Sequence, residues 1–128
     1  MPYPINHIHL KSDDPATAAA WWVKAFNFTI VSDTVRANNV RFIACDSENG
    51  IRVNISSAGE GETLPTGDAG LREGLEHFGF DSANIDEDIE RLTALGARVV
   101  DGPRGGANGR LCFLEVPGHI RIELNERP

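Results

Sequence analysis

The first alternating stretch of the chain is Ile5-Asn6-His7-Ile8-His9-Leu10-Lys11. A period of two predicts a half-buried β-strand, with Ile8 and Leu10 on one face and His7, His9 and Lys11 on the other. Two imidazoles therefore share one surface. The period then changes. Asp14 suits a helix N-cap and Pro15 the first helical position, where its missing N–H is no loss. Ala18, Trp22, Ala25 and Phe26 form an apolar stripe that carries the helix to about Phe26, with Trp21 off the stripe. Residues 29–35, 40–45 and 51–56 read as strands, separated by turns at Ala37-Asn38-Asn39 and at 47–50. The first half is β-α-β-β-β.

Residues 57–74 are rich in Gly, Glu and Thr, contain Pro65 and show no periodicity, which predicts a connecting loop. The pattern then starts again. Residues 75–81 alternate as a strand, and Asn84 or Asp86 caps a helix carrying Ile85, Ile89, Leu92 and Leu95, with Gly96 placed to end it. Residues 98–101, 110–114 and 120–124 read as strands, with a Gly/Pro loop at 102–109 and a turn at 116–118. The loop lacks the strand-to-helix setting of a phosphate cradle.

The two halves superpose. His7 falls on His77 and Ile30 on Val100, an offset of 70, while Gly50-Ile51-Arg52-Val53-Asn54-Ile55 falls on His119-Ile120-Arg121-Ile122-Glu123-Leu124, an offset of 69. The expected fold is therefore α+β, with βαβββ modules at 1–56 and 75–128 related by a pseudo-two-fold axis and joined by loop 57–74 in a single domain. Equivalent residues should then face a shared concavity.

Parity decides which residues those are. His7, His9, Lys11, His77, Gly79, Asp81, Arg52, Asn54, Ser56, Arg121 and Glu123 fall on one side of their strands. Their neighbours Ile8, Leu10, Phe78, Phe80, Val53, Ile55, Ile122 and Leu124 are uniformly apolar and suit packing on the helices. His7, His77 and Glu123 make a set of two imidazoles and a carboxylate, which suits a divalent transition ion with open positions. Such an ion acts as a Lewis acid, holding vicinal oxygens while an adjacent proton is moved. His9 on the same face is a candidate general acid/base. Arg52 and Arg121 are candidates for an anion clamp. Arg41 and Arg110 are more simply strand-end residues paired with Asp46, Asp81 or Glu115, and His119 is a turn residue.

Composition narrows the partners. A net charge of −7 over 128 residues argues against nucleic acid and anionic membrane as partners. No stretch has the pattern of a membrane span or a secretory signal. Cys45 and Cys112 are too far apart for a metal or redox motif, which fits a reduced, cytoplasmic setting.

The segments INHIHLKSDDPATAAAWWVKAFNF, LEHFGFDSANIDEDIERLTALGARVV and FLEVPGHIRIEL resemble, in order and spacing, the vicinal oxygen chelate superfamily of glyoxalases, bleomycin and fosfomycin resistance proteins and extradiol dioxygenases. The resemblance covers almost the whole chain. It implies an open, curved, barrel-like sheet and a homodimer, with His7, His77 and Glu123 at metal-ligand positions and Zn, Ni, Mn or Fe as the ion. It also implies that Asn54 stands where glyoxalases carry a fourth ligand, so the shell here has three sides. The expected activity is that of a metal-dependent lyase, isomerase or epimerase with a small, oxygen-rich, anionic substrate, in which Glu123 and His9 take part and Arg52, Asn54 and Arg121 bind the substrate. The alternatives are a metal-free, drug-sequestering binding protein and a single-domain Fe(II) dioxygenase.

Overall fold

The computed structural model describes every residue from Met1 to Pro128. Its backbone contacts divide it into two compact units, Met1–Pro65 and Thr66–Pro128. The first contains β1 (Ile8–Lys11), α1 (Pro15–Phe26), β2 (Thr29–Arg36), β3 (Val40–Asp46) and β4 (Arg52–Ser56). The second contains β5 (Phe78–Asp81), α2 (Ile85–Ala94), β6 (Arg98–Gly106), β7 (Gly109–Val116) and β8 (Ile120–Glu126). Each unit is thus a βαβββ module. Its four-stranded mixed sheet has the order β1-β4-β3-β2 in one unit and β5-β8-β7-β6 in the other. The repeat extends to register: Ile8 pairs with Val53 in the parallel β1–β4 ladder, and Phe78 with Ile122 in the β5–β8 ladder.

Local chemistry sets the helix ends. The Asp14 carboxylate accepts from the backbone N–H of Thr17 at 3.2 Å and its hydroxyl at 2.7 Å, and Pro15 opens α1. Asn84 caps α2 by accepting from Glu87 N–H at 3.2 Å, and Asp86, Glu87 and Asp88 follow at the positive end of the helix dipole. Gly96, with φ of 103°, turns the chain after α2 in the left-handed conformation that glycine adopts without a Cβ clash. No helix is long and apolar enough to cross a membrane.

Each sheet buries one face under its helix. In unit 1, Ala19, Trp22 and Ala25 of α1 join Phe28, Ile43, Cys45, Val53 and Ile55 in the core. Trp22 stacks on Phe28 with centroids 5.2 Å apart. The buried face of α1 runs through Pro15, Ala19, Trp22 and Ala25, so Ala19 rather than Ala18 lies at its centre. In unit 2, Ile85, Leu92, Cys112, Leu114, Val116, Ile122 and Leu124 form the core. Both cysteines are free and buried, and burial pushes their thiols up, so they stay protonated and weakly nucleophilic at neutral pH.

Two expectations need correction. The alternation at 5–11 and 75–81 predicts longer first strands than form: β1 starts at Ile8 and β5 at Phe78, which leaves His7 and His77 immediately before them. Residues 102–109 are not a loop. Most of them continue the β6–β7 hairpin, in which Arg104 pairs with Leu111 and Gly106 with Gly109. Register shifts between Val99 and Arg104 absorb Gly102-Pro103, which an edge strand tolerates because its outer N–H groups have no partner strand.

Candidate functional site

Unit 2 brings two of the three expected metal ligands together. Glu123 lies on β8 beside Gly79 of β5, on the face opposite the buried Ile122 and Leu124. The half-buried His77 ring sits against it, with Nε2 3.1 Å from Glu123 Oε2. The other ring nitrogen, Nδ1, is 3.0 Å from Glu76 Oε1. An imidazole between two carboxylates is held at both ends, and only one nitrogen has to be free for a ligand.

Arg121 completes the cluster. It is 8% exposed, donates from Nη1 to the Ala69 carbonyl at 3.1 Å, and lies with Cζ 4.4 Å from the Phe113 ring centroid. Its Nε is 3.5 Å from Glu76 Oε1, near enough for Coulomb attraction, yet this buried N–H has no hydrogen-bond partner. A carboxylate and an aromatic face offset the desolvation of the guanidinium, leaving one donor over. Phe113 also meets His77 edge-on at 5.0 Å, so one ring supports both the cation and the imidazole.

Unit 1 places His9 on β1 beside Asn54 of β4. His9 Nε2 is 2.6 Å from Oγ of the buried Ser56, and the ring meets Phe42 edge-on at 5.5 Å. Partial burial, then the positive neighbours Lys11, His7 and Arg36, holds His9 below the ordinary histidine value. The neutral form, with a lone pair to accept a proton, is therefore favoured. His7 is exposed, with Nδ1 paired to Asn6 Oδ1. No three His, Cys, Asp or Glu side chains converge as a complete metal cage.

The arginines fall into distinct settings. Arg52 is tied to Asp46 at 2.7 Å, which shares its charge, whereas Arg121 is enclosed. Arg41 pairs with Asp33 and Arg110 with Asp86, not with the acids expected for them, because Asp33 on β2 and Asp86 at the start of α2 are the carboxylates within reach. His119 pairs with Glu115 in its turn, Lys11 reaches the Ser57 carbonyl, and Asp81 is exposed. Glu76 and Phe113, which the strand pattern did not single out, both contact His77, while Ser56, already on the polar face of its strand, meets His9. The parity of β7 carries the signal for Phe113, since its flanking neighbours Cys112 and Leu114 are both buried. Glu76 was legible only as the residue preceding the histidine.

A family model described as the Glyoxalase/Bleomycin resistance protein/Dioxygenase superfamily matches residues 6–113. The comparison with curated proteins finds no match. Among solved structures, a glyoxalase family protein from Bacillus cereus is 17% identical with a TM-score of 0.86, over 99% of this chain and 95% of that one. The fosfomycin resistance protein FosX from Listeria monocytogenes is 20% identical with a TM-score of 0.76, over 100% and 96%; one structure of it is complexed with Mn(II) and a sulfate ion. TnmS3, an antibiotic binding protein from a Streptomyces species, is 19% identical with a TM-score of 0.67, over 99% and 98%. At these identities the likeness establishes the fold.

Proposed function

The chain belongs to the glyoxalase/bleomycin resistance protein/dioxygenase superfamily, and on that footing we propose that it is a metal-dependent enzyme of the lyase, isomerase or epimerase type acting on a small, oxygen-rich, anionic metabolite. The observation that carries the proposal is the arrangement of His77 between Glu123 and Glu76. An imidazole nitrogen and a carboxylate oxygen 3.1 Å apart are donors that suit a borderline divalent ion, and a carboxylate on the far ring nitrogen is the usual outer support of a metal-bound histidine. The ligands in this reading are His77, Glu123 and a His7, of this chain or of a second copy. Zn, Ni, Mn and Fe all suit two imidazoles and one carboxylate.

A bound ion would supply Lewis acidity toward two vicinal substrate oxygens. The chain's own residues supply the rest. Arg121, with a buried N–H left over, attracts a negatively charged substrate group, and Arg52 adds a weaker pull because Asp46 shares its charge. Asn54 offers an amide to a substrate oxygen. His9, held by Ser56 and Phe42, accepts and returns the proton. A homodimer in the cytoplasm, where two free cysteines stay reduced, belongs to the same proposal.

A second reading is a metal-free binding protein. What favours it is that Glu123 already satisfies His77 directly, and that TnmS3, of the same fold, is an antibiotic binding protein. Metal analysis of protein purified without chelator separates the two. One transition ion per chain, lost on His77→Ala, is the expected result. Ion-free protein that takes up no Zn²⁺, Mn²⁺, Ni²⁺ or Fe²⁺ on dialysis overturns the enzyme reading in favour of the binding protein.

A further inference from the structure

The two modules repeat a contact made by the residue that precedes each histidine. In each, the residue just before the histidine turns its side-chain oxygen onto the Nδ1 of that ring: Asn6 onto His7, and Glu76 onto His77. The two pairs stand at the offset of 70 that relates the modules. We propose that Asn6 and Glu76 are matched positioning residues, each holding its histidine as the Nδ1–H tautomer so that Nε2 is the nitrogen that ligates. The proposal rests on the metal reading of His7 and His77 and extends it to residues that touch no ion.

The two contacts differ in the acceptor they present. Asn6 presents a neutral amide oxygen, which can only accept from Nδ1–H. At His77 two carboxylates compete for the ring, Glu76 at Nδ1 and Glu123 at Nε2, at nearly equal distances of 3.0 and 3.1 Å. An ion that took Glu123 and Nε2 would leave Glu76 as the remaining acceptor, and it is Glu76 that carries the outer anchor. Arg121 lies 3.5 Å from its carboxylate and is itself fixed by the Ala69 carbonyl and the Phe113 face. That positive charge offsets the second carboxylate beside the imidazole. Phe113, edge-on to His77, fixes the plane in which the ring meets both partners. Orientation by such an outer carboxylate commonly changes metal affinity by about 10–100-fold.

The test uses the full chain with Zn²⁺ as probe. Isothermal titration should show Glu76→Ala binding about 10–100-fold more weakly than the parent. Glu76→Gln, whose amide oxygen still accepts from Nδ1–H, should recover most of that loss, which a merely structural role would not predict. Asn6→Ala should show a smaller loss in the same direction. Both positions lie outside helix and strand, so unchanged circular dichroism is expected; Asn6→Ala should also leave thermal unfolding unchanged, whereas both Glu76 variants should lower Tm alike, because each removes the charge beside the buried Arg121. Two-bond ¹⁵N–¹H correlations of the His77 ring give a second readout that needs no ion. In ion-free protein, Glu76 and Glu123 should share the ring between them, so that Nδ1 carries a substantial part of the proton in the parent, and Glu76→Ala should move it wholly to Nε2. If the parent binds no ion, the metal reading fails and the ring correlations alone decide the positioning claim. Parent affinity in Glu76→Ala, or a ring tautomer indifferent to it, overturns the proposal.

Discussion

Replacing His77 with alanine is expected to weaken binding of a divalent ion by on the order of 10²–10³-fold. Structural zinc sites with four protein ligands bind with about 10–16 kcal/mol, so each ligand contributes about 2.5–4 kcal/mol, or about two to three decades in affinity. His77 is the most exacting place for this loss. Its ring is already fixed by Glu76, Glu123 and Phe113, so little ordering entropy offsets what the missing nitrogen removes. Glu123→Gln should fall in the same range, since an amide replaces the one anionic ligand. His119→Ala is the control. That histidine is exposed and pairs with Glu115 in the β7–β8 turn, and its loss should leave the affinity unchanged. Titration calorimetry with Zn²⁺ measures all three. Equal affinities in the parent and His77→Ala would remove His77 from the ligand set.

Trp22→Ala is expected to destabilise the protein by about 3–5 kcal/mol, the range for deleting a large aromatic from a closed core. Trp22 is 1% exposed and stacks on Phe28, and Phe26 and Trp21 also lie against it. Its place is on the face of α1 that covers the β3–β4 part of the sheet, including Ile43 and Val53. Removing the indole leaves a void that neighbours on a short helix and a four-stranded sheet fill only in part. A loss of that size is a large fraction of the net stability of a domain this small. Urea unfolding followed by circular dichroism measures it. Trp21→Ala, one residue away but on the partly exposed side, should cost much less. Equal effects for the two would mean that the stripe has been assigned to the wrong face.

Much of this was legible in the residues, for reasons that can be named. Asp14-Pro15 and Asn84 announce their helices because capping is a local contact between a side chain and an N–H three residues on. The module repeat was legible because both copies bury the same strand face, and the offsets of 70 and 69 reappear in the ladder registers Ile8–Val53 and Phe78–Ile122. Strand ends were not legible. Alternation reaches back to Ile5, but in the parallel ladder the partners of residues 5–7 would fall at 50–52, where the β3–β4 turn is only just giving way to β4. A strand needs a partner as well as a pattern. The 102–109 segment misled in the opposite direction. Its glycines and Pro103 signal a loop, but on an edge strand they are absorbed as register shifts.

The site was legible in the same uneven way. His77 and Glu123 meet because parity and the repeat both place them on one face, and both are matters of sequence. The roles of Glu76 and Phe113 depend on where side chains reach across neighbouring strands, and a linear pattern does not encode that. Arg52 and Arg121 look equivalent in the repeat, yet one lies beside Asp46 while the other is enclosed by Ala69 and Phe113. Equivalent positions thus acquire different electrostatics from their surroundings.

Anomalous diffraction from crystals of the protein grown with Zn²⁺ shows directly whether His77, Glu123 and His7 hold an ion. One anomalous peak per chain is expected, with Zn²⁺ within about 2.0–2.2 Å of His77 Nε2, a Glu123 oxygen and the Nε2 of a His7. A peak elsewhere, or fully occupied metal on other residues with His77 still bonded to Glu123, would contradict it.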